Sequence, residues 1–191
     1  MSLFKRLKST TLLSRAARNE DGSILVELAI SVPLFLSLLT GVVEVGNYLL
    51  MNLKVQHTVI AISDLVTRDE SITENVMADI FQAVPQILEP FPTGERSLTI
   101  VSAISQSEDT PASVYWQRSG GGTYAAASSL GVEGDAVVLP AGLTLRDNET
   151  ILATEVYYRY EPLVFDFIAP KTIRKVSYFR PRIGSLQEIE P

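Results

Sequence analysis

Cysteine is missing from all 191 residues and histidine occurs once, at position 57. Without thiols there are no disulfides, no thiolate metal sites and no cysteine nucleophile, so packing alone must hold the fold. A single His57, set in a polar stretch, reads as a solvated side chain and not as a base or ligand. Signatures of catalysis are lacking too: the chain has no GxSxG, no P-loop and no HExxH. Nothing in it calls for a cofactor, a metal or an enzymatic function.

Basic charge is scarce as well. Sixteen Lys and Arg stand against 22 Asp and Glu, a net charge of −6. Residues 1–22 hold Lys5, Arg6, Lys8, Arg15 and Arg18 against Glu20 and Asp21; this leader is +3, which leaves −9 on the remainder. An acidic body excludes nucleic acid as the natural partner, because phosphate binding needs a basic surface that displaces counterions.

Charge is absent altogether from Leu28 to Val43, and with its flanks the apolar region runs from Ile24 to Met51. At 1.5 Å per residue that is about 42 Å of helix, enough to cross a hydrocarbon core of roughly 30 Å. Glu27 and Glu44 bracket the uncharged stretch about 25 Å apart along a helix, a spacing that sets one carboxylate near each interface. The region exceeds the apolar core of a cleaved secretory signal. The basic leader orients the span with its N-terminus in the cytoplasm and the rest of the chain outside.

Beyond the span, Tyr48, Met51, Val55, Val59, Ile62 and Val66 recur at steps of three and four, so one helical stripe continues outward. Ser71 and Glu74 spell an S-x-x-E capping box, followed by Ile72, Val76, Ile80, Val84 and Ile87. This predicts a second amphipathic helix ending around Pro85 to Pro90. Strand candidates follow at 97–105, 112–118, 151–160 and 172–180, rich in β-branched and aromatic residues. Between the second and third lies a glycine-rich region, read as a flexible loop at Gly120 to Gly122 and interrupted by the short apolar run Val137 to Leu139. No helical pattern separates the strands, so the sheet should be antiparallel and the fold α+β. The expected division is a basic leader at 1–22, a transmembrane helix at 23–51, an extracytoplasmic helical region at 52–90 and a β-rich domain at 91–191. A domain starting near Ile72 is expected to stand alone. Asp64, Asp69, Glu70 and Glu74 lack calcium-loop spacing and read as a solvated acidic face.

The most informative segment is the leader junction. Gly22-Ser23-Ile24-Leu25-Val26-Glu27 resembles a type IV prepilin cleavage site, with a Gly, an apolar run and Glu five residues after the Gly. The longer string from Gly22 to Pro33 resembles the TadE/TadG family of the tight-adherence (Tad) pilus, on the matching residues Gly22, Val26, Glu27, Ala29 and Pro33. The stretch VVEVGNY at 42–48 is similar to that family as well. The resemblance implies a pseudopilin or minor pilin of the bacterial inner membrane, cut between Gly22 and Ser23 by a prepilin peptidase. It further implies packing through Glu27 and its neighbours against other Tad pilin-like subunits, an inner-membrane assembly platform and the lipid bilayer. The chain departs from the major pilin pattern in having Leu28 after Glu27 and a large domain beyond the helix. An uncleaved single-pass anchor presenting a scaffold or binding domain is the alternative.

Overall fold

The computed structural model describes residues 20–69, 71–107, 110–164, 168–184, 186 and 189–190. The basic residues of the leader and Glu70 lie outside the described residues. The first element, α1, is one unbroken helix from Glu20 to Val66. Its apolar content sustains it through Pro33, and the hydroxyls of Ser37 and Thr40 donate to the carbonyls of Pro33 and Leu36, each at 2.9 Å. Such back-bonding satisfies short polar side chains inside an apolar helix.

After α1 comes a two-residue strand β1 (Ile72–Thr73), then helix α2 (Glu74–Leu88), a 3₁₀ turn at Gly94–Arg96, and strands β2 (Ser97–Ser107), β3 (Thr110–Gly120), β4 (Thr150–Tyr160), β5 (Lys171–Phe179) and β6 (Ile189–Glu190). The four long strands form one antiparallel sheet in the order β3-β2-β4-β5, as the α+β expectation requires. Each lies within two residues of its expected limits. β1 and β6 form a separate parallel pair.

Strand alternation divides the sheet into two faces. Leu152, Val156, Tyr158 and Tyr160 of β4, with Val101 and Ala103 of β2, meet the helices. The outer half of α1 supplies Met51, Val55, Val59, Ile62 and Val66 to this core, all essentially inaccessible. That stripe agrees with its sequence pattern, and it alters the expected autonomy of a domain from Ile72, whose core is partly built from α1.

Two expectations for α2 are corrected. Its N-cap is Thr73 and not Ser71, with the Thr73 hydroxyl accepting from the Val76 amide at 3.2 Å. Ser71 precedes β1, whose extended backbone carries the chain to the helix, and Glu74 turns to Arg118 at 2.7 Å instead of closing a capping box. The buried face is Met77, Phe81, Val84 and Leu88, whereas Val76 is exposed and Ile80 and Ile87 are half-buried. Two apolar series overlap on this helix, and contact with α1 and the sheet selected the one containing Phe81. The Lys54 ammonium donates to the Ile87 carbonyl at 3.2 Å, closing the C-terminal end of α2 onto α1.

The glycine-rich region is likewise not a free loop at its start. Gly121 has φ +71° and takes the Ser97 hydroxyl on its carbonyl at 2.6 Å. A Cβ at Gly121 would stand 2.8 Å from Val84, so the backbone must pass this close to α2. Farther on, Leu130, Val137, Leu139, Leu143 and Leu145 pack over Ile104, Ile151 and Ala153 on the sheet's second face. Both faces of β4 are therefore covered, and Arg159 is its single exposed residue.

Candidate functional site

Two carboxylates on α1, Glu27 and Glu44, frame the candidate segment. Around the first, Gly22 is half-buried, and Ser23, Val26, Glu27, Ala29 and Pro33 are exposed along the helix. All six lie in α1, and Glu27 sits four residues, or one turn, after Ser23. The large apolar side chains from Ile24 to Val43 around them are also exposed. Gly22 itself is helical, because α1 begins at Glu20. Neither Gly41 nor Gly46 breaks the helix, and a Cβ at either would meet nothing within 4 Å.

The second carboxylate behaves in the opposite way. Glu44 has no accessible surface. The Tyr160 hydroxyl donates to it, and the backbone amides of Leu163 and Val164 donate at 3.0 and 3.1 Å. Glu44, expected near the outer interface, is closed off from solvent there: the end of β4 and the segment after it cover the carboxylate. A carboxylate accepts several donors at once and so ties a strand end and two amides to one helical position. Burial, and then the bond to Glu44, push the Tyr160 phenol up to about 12. Tyr48, one turn farther along α1, meets the Tyr160 ring edge-on at 5.1 Å, and the Lys171 ammonium lies 4.3 Å from the centroid of the Tyr48 ring.

Glu44 carries a legible signal in hindsight. It stands one turn before Tyr48 on the stripe that continues through Met51, Val55 and Val59, so it belongs to the buried face. Its charge concealed that membership.

A third carboxylate, Glu155 of β4, is buried on the opposite face. It accepts from Ser128, from the Ser129 hydroxyl at 2.8 Å, from Arg174 at 2.6 Å and from the Tyr157 hydroxyl at 3.1 Å. Burial alone would raise its pKa, but the bonds from Ser128, Arg174 and Ser129 outweigh it and hold Glu155 below the ordinary value of 4.5. This cluster fastens the 121–149 region to the sheet. The acidic residues weighed as a solvated face are partly paired: Glu74 binds Arg118 and Asp64 binds Arg182.

Residues 22–61 match the family model described as TadE-like protein. The chain carries a TadE-like domain. Both Glu27 and Glu44 fall within it, and its end at residue 61 lies inside α1, so the TadE-like match covers the helix and leaves α2 and the sheet outside. The chain has no match among curated proteins or solved structures. Among the described residues one helix, Gly22–Val66, is long and apolar enough to cross a membrane, with a mean hydropathy of 2.1 over an 18-residue window and none of that window buried by the protein. The TadE-like match relates the chain to the Tad pilus.

Proposed function

We propose that this chain is a minor pilin or pseudopilin of a Tad-type pilus assembly and secretion apparatus, acting by subunit packing and partner recognition. The observation that carries the reading is Glu27, an exposed carboxylate on an apolar helix, one turn after Ser23 within the TadE-like match. A charge in that setting is costly unless it is paired. Cleavage by a prepilin peptidase between Gly22 and Ser23 creates the partner, the new amine of Ser23, and an adjacent subunit's amine satisfies Glu27 while setting the axial register. Val26, Ala29 and Pro33 line the same packing segment. In this reading the leader stays in the cytoplasm, the helix crosses the inner membrane, and the sheet domain meets other pilin-like subunits and the assembly platform from the far side.

Mass of the membrane-extracted protein tests it. The wild type should begin at Ser23, Gly22→Val should keep the leader, and Glu27→Gln should be cleaved yet fail to crosslink to pilus components. A wild type that begins at Met1 refutes the prepilin reading. The second reading, an uncleaved anchor presenting a scaffold domain, is favoured by one observation: the helix runs through the cleavage junction from Glu20, so a peptidase has to unwind its first turn to reach Gly22.

A further inference from the structure

We infer that Leu163, Val164 and Ile168, the apolar residues described on the β4–β5 connection, are a second membrane contact, a wedge that enters the outer interface of the bilayer beside α1. The inference rests on the membrane-anchor reading of α1 and adds a surface to it. Leu163 and Val164, just after β4, are 64% and 51% exposed although both are apolar. They are not free to retract, because their amides are held by Glu44. Ile168, on the same connection, lines a groove of about 770 Å³ with Leu34, Leu38, Gly41, Val45 and Leu49 of α1.

The occupant follows from continuity. The exposed apolar surface of α1 from Ile24 to Val43 has the length of a bilayer core, and the groove joins that surface to the connection without a charged side chain in its lining. Lys171, exposed at the start of β5 and seated on Tyr48, marks the polar level just above, as basic and aromatic residues do at headgroups. Glu44 is thereby the hook that holds the wedge at the lipid surface, buried by the chain so that its charge never meets hydrocarbon.

The absence of cysteine makes a direct test available. Single Leu163→Cys, Val164→Cys, Leu34→Cys and Val138→Cys variants of the full chain would be labelled with an environment-sensitive nitrobenzoxadiazole probe. They would be reconstituted into vesicles of phosphatidylethanolamine and phosphatidylglycerol. Val138, 94% exposed near the opposite end of the sheet, is the aqueous control. The probe at position 34 should be quenched by deep nitroxide lipids. Probes at 163 and 164 should be quenched by shallow nitroxide lipids several-fold more than the probe at 138, and be protected from aqueous iodide. Iodide access at 163 and 164 equal to that at 138, with position 34 still in lipid, overturns the wedge and leaves the anchor standing. Iodide access at position 34 overturns the anchor and the wedge together. Protection from both quenchers that grows with the protein-to-lipid ratio overturns the wedge in favour of a second copy of the chain.

Discussion

The two halves of α1 are both rich in large apolar residues and have opposite surroundings. From Ile24 to Val43 its large apolar side chains are exposed, whereas from Glu44 onward one face is sealed against α2 and the sheet. Glu27 is exposed in the first half, and Glu44 is buried with three donors in the second. The contrast teaches that hydrophobicity fixes how much surface must be covered, while the covering partner depends on position: the chain's own sheet covers the outer half, and the described residues leave the large apolar side chains of the inner half exposed.

Removing the outer half should have the largest effect. A fragment beginning at Ile72 lacks five core side chains of α1, each worth about 1.5–3 kcal/mol of burial, against a whole-domain stability of roughly 5–15 kcal/mol. It should show no cooperative unfolding by Trp116 fluorescence, and a fragment beginning at Gly41 should. Native near-ultraviolet dichroism from the shorter fragment would break the comparison.

The carboxylates come next. Glu44→Ala strands the Tyr160 hydroxyl and two amides, and with unsatisfied buried donors costing roughly 1–3 kcal/mol each, a loss of about 3 kcal/mol is expected. Glu27→Ala should stay within about 0.5 kcal/mol, as exposed substitutions do. Urea midpoints of both variants in detergent micelles check this, and equal losses would erase the distinction between the halves.

Glu155 extends the comparison to a carboxylate buried away from α1. Because its folded pKa is depressed, its contribution is present above the unfolded value of about 4.5 and is lost as pH falls through the lower folded value. Acidification through that window should release the 121–149 region to limited proteolysis before the helix core opens. Glu155→Gln should give the same cleavage at neutral pH. A wild-type cleavage pattern that does not change with pH would show that Leu130, Val137 and Leu139 hold the region without the polar latch.

The smallest effect separates the two capping candidates of α2. Thr73→Ala should cost about 1 kcal/mol and Ser71→Ala close to nothing, read from thermal midpoints of the Gly41 fragment. A larger loss at Ser71 would restore the capping box.

Local periodicity and propensity by themselves determined the length of the apolar helix, the stripe from Tyr48 to Val66 and the four strands within two residues. These are properties that neighbours along the chain impose on one another. Tertiary structure alone decided which of two overlapping series on α2 faces inward, since Val76 and Met77 are equally apolar and only the shape of the facing surface ranks them. It also decided that Gly120 and Gly121 press against α2, and that Leu130, Val137 and Leu139 roof the second face of the sheet. The fate of Glu44 was decided the same way. A carboxylate in a sequence reads as solvated, and its burial became favourable only when a hydroxyl from β4 and two amides from the following segment, more than a hundred residues away, converged on it.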